Sequence, residues 1–254
     1  MSSPTFRGID VLGVRIDDVT EAEALDVAAQ YIAAGRPHRV VTPNPEIVMT
    51  ARRWAAYRGI LNESDLALPD GIGLLMAATL GGVPLRAHVR GTDFVLGLAA
   101  RSMQPGWRWF LLGAAPGIAT AAGAALAARF PGLVVAGAAP GSPHPTDDVA
   151  TRMLIAEAGH VDVLLVAYGA PQQEQWIARN QEAIGIPVQI GVGGVLNYLS
   201  GVTPRAPGWV RRLELEWAHR LITQPWRWRR QLALPAFAAL AGREALARRL
   251  RGVR

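Results

Sequence analysis

Residues 162–194 read DVLLVAYGAPQQEQWIARNQEAIGIPVQIGVGG, and this stretch decides the fold. It begins with a mostly apolar run, which is typical of a strand buried on both faces of a parallel sheet. A Gly-Ala-Pro turn leads into a helical pattern over residues 172–183, and a second apolar strand follows over residues 188–192. Strand, helix and strand in this order form the repeating unit of a parallel α/β sheet.

The same alternation extends through most of the chain. A short strand pair is predicted around residues 9–16, and further apolar strands over residues 39–42, 66–68, 107–112 and 133–136, with helical patterns between them. We therefore predict an α/β, Rossmann-like fold, in which a mostly parallel sheet carries helices on both faces.

The uncharged run of residues 110–128 has the nominal length of a membrane span. Gly113, Pro116, Gly117 and Gly123 interrupt it. We interpret it as a strand, a turn and a helix.

Composition excludes several classes of protein. Half of the 254 residues are apolar and 18% are charged, which excludes a disordered chain. No cysteine is present, so disulfides, thiolate nucleophiles and cysteine-ligated metal sites are excluded. The N-terminus lacks the basic and then apolar pattern of a signal peptide, and we expect a cytoplasmic location.

The positive charge is concentrated at the C-terminus. All 26 basic residues are arginine; residues 1–200 hold 14 of them against 17 acids, and residues 201–254 hold 12 against 3. The net charges of the two parts are therefore −3 and +9. We expect an α/β catalytic domain over residues 1–200 and an Arg/Trp-rich, membrane-associating appendage over residues 201–254.

Apolar residues of this appendage are spaced so that they would share one helical face: Val210, Leu213, Trp217 and Leu221. Arg211, Arg212 and Arg220 flank this face, and a Trp/Arg run that contains Arg227 and Arg230 follows it. Trp and Arg on amphipathic helices favour the interface of an anionic membrane. A helix pair packed on the core and a nucleic-acid-binding surface are the alternatives.

Ligands of parallel α/β sheets bind outside the carboxyl ends of the strands, so the loops that follow strands should carry function. Asp70 lies in such a loop, in a Pro-Asp-Gly turn before a helix, where it could act as a general base or cap the helix. Thr42 and Asn44 lie in the loop after an earlier strand, as site residues or as ordinary turn formers.

Glycines in two loops could let a phosphate approach the backbone. Gly113 begins a turn before a helix, and Gly193 and Gly194 follow the last strand. Each signal is weak alone, and a structural turn is the alternative. The G-x-G-x-x-G fingerprint is missing, although a dinucleotide-dependent oxidoreductase stays open as a rival. The histidines show no ligand spacing and no Asp-x-Asp occurs, so we predict neither a metal nor a cofactor.

The loop and helix start after the apolar strand of residues 162–168 should face a ligand. Tyr168, Gln173 and Glu174 are the candidates there. Arg90, three residues before Asp93, is an available cation for a diphosphate, with a surface role as the alternative.

Seven motifs in order closely resemble the WecG/TagA/CpsF glycosyltransferases, glycosyltransferase family 26. The resemblance covers about residues 9–232, and the segment after residue 232 extends past the usual end of the family. The motifs are TPNPE at 42–46, PDGIG at 69–73, VRGTD at 89–93, FLLG at 110–113, GAPQQEQW at 169–176, GVGG at 191–194, and a run from RAP at 205–207 to Arg-Leu at 220–221.

This resemblance implies an inverting, metal-independent transferase at the cytoplasmic face of the membrane. It would move a sugar, often N-acetylmannosamine or its uronic acid, from a UDP-sugar to a polyprenyl-diphosphate-linked sugar in the synthesis of a bacterial cell-surface polysaccharide. Glucose-type donors for exopolysaccharide occur in other branches and stay open. A monomer on the membrane and a homo-oligomer that hides apolar tail surface are both compatible with the sequence.

The resemblance also implies roles for single residues. Asp70 matches the general base, and Thr42 and Asn44 match residues of the same pocket. Arg90 and Gln173 match polar residues near the donor and its diphosphate. The basic appendage would bring three arginines to the leaving UDP: Arg220, Arg227 and Arg230. Gln172 stands where many members have lysine, and Asn197-Tyr198 stands where an Asp-Phe pair is common.

Overall fold

A computed structural model describes residues 6–223, 228 and 232–250. The first half of the chain contains β1 (Gly8–Val11), β2 (Val14–Asp17), α1 (Glu21–Ala34), β3 (His38–Val41), α2 (Pro45–Arg53), α3 (Ala55–Asn62), β4 (Leu66–Ala67), α4 (Ile72–Leu80) and α5 (Gly91–Arg101). The second half contains β5 (Arg108–Gly113), α6 (Ile118–Arg129), β6 (Val134–Ala139), a 3-10 turn (Pro145–Asp147), α7 (Asp148–Ala156), β7 (Val163–Ala167), α8 (Gln172–Ile184), β8 (Val188–Gly191), α9 (Val195–Leu199), α10 (Gly208–Arg212), α11 (Glu216–Thr223) and α12 (Ala233–Leu250).

Six strands form one sheet in the order β4-β3-β8-β7-β5-β6, and every neighbouring pair is parallel. β1 and β2 form a separate antiparallel pair, as predicted. The α/β, Rossmann-like prediction is confirmed. The interpretation of residues 110–128 as a strand, a turn and a helix is also confirmed, because β5 ends at Gly113 and α6 begins at Ile118.

Alternate residues of the strands pack into separate cores on the two faces of the sheet. On one face, side chains such as Leu111, Leu165 and Ile190 contact the cluster that α1, α5 and α6 complete. On the other face, Leu164 and Val166 pack against α8. Continuous apolar strands are required here because both faces are buried.

The C-terminal part of the chain differs from the single amphipathic helical face that its sequence predicts. The backbone of Glu214 is left-handed, with φ of 59°, and the turn around it separates α10 from α11. Val210 is buried, whereas Leu213, Trp217 and Leu221 are exposed. The turn explains the difference, since it breaks the helical phase between Val210 and Trp217.

Helix α12 packs on α2 and α4. Its inward side chains are Phe237, Ala241 and Ala245, each buried. Phe237 lies close enough to α4 that a Cβ added at Gly73 would meet its ring at 3.7 Å. Among the described helices, none is both long and apolar enough to cross a bilayer.

This packing predicts that α12 contributes to the stability of the α/β core. Phe237→Ala should lower the free energy of unfolding by about 3 kcal/mol, because it removes a buried ring and leaves a cavity. Urea denaturation followed by tryptophan fluorescence measures the change. Leu246→Ala on the same helix is the control, since Leu246 is 58% exposed and Phe237 is 3% exposed. Equal stability of the two variants would contradict the assignment.

Candidate functional site

A cavity of about 830 Å³ lies at the carboxyl ends of β3, β4, β7 and β8, where the rule for parallel sheets places a ligand. Its walls include several of the residues that the sequence singles out: Thr42, Asn44, Asp70, Tyr168, Gln173, Gly193 and Gly194. These residues are up to about 150 positions apart in the chain. The tertiary structure therefore brings the predicted loops together in one site.

Asp70 presents its carboxylate to this cavity. The backbone N–H of Asp70 donates to the carbonyl of Pro43 at 3.1 Å, and Oδ2 accepts from the N–H of Gly91 at 3.3 Å. The N-cap of α4 is Gly71, and no side chain caps that helix, so Asp70 is not used as a cap. Its side chain is 31% exposed. The carboxylate is held in place and is still accessible to a substrate.

The Asp70 loop touches the loop after β3, and glycine makes this contact feasible. Gly71 has φ of 118°, and a Cβ there would lie 3.1 Å from Cδ of Pro45. A Cβ on Gly73 would lie 2.7 Å from Cγ of Pro45, which is closer than real Cβ atoms approach. Any larger residue would push the two loops apart.

Thr42 and Asn44 line the cavity and also hold its walls. The Thr42 hydroxyl lies 3.4 Å from the carbonyl oxygen of Gly191, to which it donates. The side-chain oxygen of Asn44 accepts from the N–H of Ile47 at 3.0 Å and caps α2. Asn44 therefore has a local structural role as a helix cap and also lies in the wall of the cavity.

His88 is a site residue that the sequence analysis did not single out. Its Nε2 accepts from the N–H of Gly71 at 2.7 Å and lies 3.5 Å from Oδ1 of Asp70. Its Nδ1 lies 2.8 Å from Oε2 of Glu214. Because a backbone N–H can only donate, this arrangement places the ring proton on Nδ1, where it bonds to Glu214. No local pattern in the sequence marked it, since it lies in a loop between α4 and α5.

The pKa of His88 reflects these neighbours. Burial lowers it, but the hydrogen bond and charge of Asp70, together with the charge of Glu214, outweigh burial and raise the pKa above its ordinary value. A second proton would turn Nε2 into a donor toward Asp70, at the expense of the bond from Gly71.

Arg90 and Asp93 lie outside the cavity lining. Arg90 is engaged by Glu214, Glu216 and the carbonyl of Arg211, and Asp93 accepts from Arg205 at 2.6 Å. In this structure both therefore anchor the C-terminal segment to the start of α5, which differs from the expected contact with a donor. The physical reason is that the C-terminal segment places the carboxylates of Glu214 and Glu216 beside Arg90. It also places the guanidinium of Arg205 beside Asp93.

Gln173 joins two loops of the site. Its Oε1 accepts from the N–H of Gly193 at 2.8 Å and from the N–H of Gly169 at 3.2 Å. Its Nε2 donates to Oε1 of Glu174 at 2.7 Å. The side chain faces the cavity, yet it is almost completely buried.

Glu174 has no open surface toward the cavity, so its position does not support the expected contact with substrate. The residue is fully buried, and Oε2 accepts from the hydroxyl of Tyr57 at 3.0 Å. Burial raises the pKa of its carboxyl and outweighs the bonds from Gln173 and Tyr57, which lower it. Burial likewise raises the pKa of Tyr57.

Gly113 also lies away from the cavity lining. A Cβ there would come within 2.9 Å of the backbone of Ala167, so glycine is required where β5 and β7 end side by side. Gly193, Gly194 and Tyr168 do line the cavity, and burial raises the pKa of the Tyr168 hydroxyl.

Among the described residues, Arg53 is the arginine that lines the cavity. The sequence analysis did not single out Arg53. Helical spacing could have indicated it, because Glu46, Thr50 and Arg53 lie on one face of the helix that Asn44 caps. Arg220 lies in α11, but its side chain is outside the description, and Arg227 and Arg230 are outside the described residues.

Within the described part of the chain, no three His, Asp or Glu side chains are grouped to hold a metal ion. Metal independence stays an expectation from the family.

The model of the "Glycosyl transferase WecG/TagA/CpsF family" matches residues 9–251. The match continues through α12, so the expectation that the segment after residue 232 lies beyond the family is wrong. The reason is visible in the fold, because α12 is packed into the core formed by α2 and α4.

Relatives with this family's activity cover most of the chain. A protein of Bacillus spizizenii (strain W23) is 34% identical over 82% of this chain and 79% of the relative. A protein of Bacillus subtilis (strain 168) is 35% identical over 78% and 77%, and one of Staphylococcus aureus (strain MRSA252) is 30% identical over 90% of both chains. Each is named N-acetylglucosaminyldiphosphoundecaprenol N-acetyl-beta-D-mannosaminyltransferase. The chain therefore belongs to the WecG/TagA/CpsF family and is a glycosyltransferase.

Proposed function

We propose that this protein transfers an N-acetylmannosamine-type sugar from a UDP-sugar to N-acetylglucosamine linked to a polyprenyl diphosphate. The names of relatives that cover most of this chain support the acceptor and the transferred sugar. The family supports the UDP-linked donor. Family membership favours this reaction over that of a nicotinamide-dependent oxidoreductase.

One observation carries the proposed mechanism: the carboxylate of Asp70 faces the cavity without capping a helix. In a single displacement, the carboxylate takes the proton of the acceptor hydroxyl while that oxygen bonds to the anomeric carbon. The bond from that carbon to the UDP oxygen breaks on the opposite face. The product has inverted configuration, and UDP leaves with the bonding electrons.

Two further groups assist this step in the proposal. His88 holds the Asp70 loop through Gly71 and lies beside the carboxylate. Arg53 lines the cavity and supplies positive charge for the diphosphate of a substrate. We also propose that three arginines of the C-terminal segment bind the leaving UDP: Arg220, Arg227 and Arg230. Their side chains are not among those that the structure describes.

Two residues that line the cavity bear on the choice of donor sugar. Asn197 and Tyr198, which replace the Asp-Phe pair common in the family, both line the cavity. Substitutions at these two positions can therefore act directly on the sugar or the uracil of the donor. A screen of UDP-N-acetylmannosamine, its uronic acid and UDP-glucose with one lipid-linked acceptor identifies the donor.

We further propose that the C-terminal segment attaches the enzyme to the anionic inner face of the cell membrane. Its described part exposes large apolar side chains: Trp209, Leu213, Trp217, Leu221 and Ile222. The net charge of residues 201–254 is +9, from 12 arginines and 3 acids. Exposed Trp next to Arg suits the headgroup region of a bilayer, where each basic residue contributes about 1 kcal/mol.

Removing the proposed base should abolish most of the transfer. Asp70→Asn keeps the shape of the side chain but loses the proton acceptor, and we expect kcat to fall by about 100-fold or more. The measurement is transfer of radiolabelled sugar to a polyprenyl-diphosphate N-acetylglucosamine.

Asp26→Asn is the matched control, because Asp26 lies exposed on α1, away from the cavity. Its activity should equal that of the unmodified enzyme. If folded Asp70→Asn protein keeps near-normal kcat, Asp70 is not the base.

Membrane attachment should depend on the exposed indoles. Trp209→Ala/Trp217→Ala should weaken binding to phosphatidylglycerol vesicles by about tenfold, because loss of about 1.4 kcal/mol of apolar burial changes affinity by that factor. Flotation of the vesicles measures the bound fraction. Met153→Ala removes an apolar side chain that is similarly exposed on α7 and should have no effect.

Two results would contradict this attachment. One is flotation that is equal for the double variant and the unmodified protein. The other is salt-sensitive retention on DNA without binding to vesicles, which would favour the nucleic-acid alternative.

A further inference from the structure

We propose that Glu174 is a positioning residue, which holds the Gln173 amide in one orientation so that the amide can fix the loops after β7 and β8. These two loops form one wall of the cavity. The activity measurements below rest on the proposed function, whereas the exchange measurement does not.

The orientation of the Gln173 amide follows from its neighbours. Backbone N–H groups of Gly169 and Gly193 approach one end of the amide, at 3.2 and 2.8 Å, and can bond only to its oxygen. Oε1 of Glu174 approaches the other end at 2.7 Å and has to meet the NH₂ group. All three contacts agree on one orientation, and Glu174 is the acceptor that determines the NH₂ end.

Glu174 acts through Gln173 because it does not reach the cavity. It is fully buried, and the hydroxyl of Tyr57 on α3 holds its second oxygen at 3.0 Å. Burial of a carboxyl group costs free energy unless donors surround it, so a carboxyl group at this buried position calls for a compensating interaction. The hydrogen bond from Gln173 is such an interaction, and it connects Glu174 to the wall of the cavity.

The same amide is packed tightly against β8. A Cβ on Gly191 would lie 2.8 Å from Nε2 of Gln173, so the amide fills the space that a side chain would occupy. The carbonyl of Gly191 lies 3.4 Å from the hydroxyl of Thr42. Gln173 therefore holds a strand end that is also connected to the loop after β3.

Glu174→Leu removes the acceptor and puts an apolar side chain of similar size in the buried position. The NH₂ group of Gln173 then lacks its partner, and the amide can rotate away from Gly169 and Gly193. We expect kcat/KM for the UDP-sugar to fall by about tenfold or more, since displacement of a site by about 1 Å can cost 100-fold. Glu174→Gln still offers an oxygen to Gln173 and should restore most of the transfer.

Tyr57→Phe separates positioning from stability. In Glu174→Leu the Tyr57 hydroxyl is buried without its partner, which lowers stability. The double variant Glu174→Leu/Tyr57→Phe removes that hydroxyl, so its melting temperature should rise toward that of the unmodified protein. Its kcat/KM should stay low, because Gln173 still lacks an acceptor. Recovery of both stability and kcat/KM in the double variant would overturn the proposal.

A double-mutant cycle tests whether Glu174 works through Gln173. Gln173→Leu alone should lower kcat/KM, and Glu174→Leu should add little to it, because both remove the same link. Multiplicative losses would show that the two residues act separately and would overturn the proposal. Glu182→Gln on the exposed face of α8 is the control and should leave kcat/KM unchanged.

Hydrogen exchange of the backbone gives a readout that does not need transfer activity. The amides of Gly169 and Gly193 are bonded to Gln173, so peptides that contain them should exchange faster in Glu174→Leu and slowly again in Glu174→Gln. If the enzyme transfers no sugar but this pattern holds, only the proposed function fails. If transfer is normal and exchange is unchanged in Glu174→Leu, only the positioning role fails.

Discussion

Backbone N–H groups in the loops and helix starts around the cavity need hydrogen-bond partners, and the site of this glycosyltransferase is built on that requirement. Side chains from other elements supply the partners. The Gln173 oxygen accepts from Gly169 and Gly193, the Asp70 carboxylate accepts from Gly91, and the ring of His88 accepts from Gly71. Each bond fixes a loop and at the same time places a polar side chain at or beside the cavity. The geometry of the candidate site and the hydrogen bonding of the backbone around it therefore depend on the same contacts.

The C-terminal segment is joined to this framework in two physically different ways. Around α10 and α11 the ionic contacts are those of Glu214 with Arg90 and of Arg205 with Asp93. Along α12 the contact is apolar, with Phe237 buried against α4. Salt and pH act on the first kind of contact far more than on the second. Glu214 also accepts a hydrogen bond from His88, which lies beside Asp70, so the segment and the proposed base share one electrostatic environment.

Prediction from sequence succeeded where the signal was local. The apolar strands predicted the parallel sheet, because a strand buried on both faces cannot alternate apolar and polar residues. The loops that follow those strands predicted the cavity residues Thr42, Asn44, Asp70 and Gln173. Contacts with distant partners were outside the reach of such local signals. Arg90 looks available in the sequence, and only the turn at Glu214 explains why it is engaged.

The sequence by itself determined the α/β class, the loops that carry the site, the family and the concentration of arginine after residue 200. These follow from periodicity, composition and ordered motifs, which are properties of neighbouring residues. Only the tertiary structure decided which of two adjacent residues faces the cavity, with Gln173 in its wall and Glu174 buried behind it. It also brought His88 to Asp70 and Phe237 to α4. Such contacts join residues that are far apart in the chain, and they are fixed by the packing of whole elements, which no local pattern encodes.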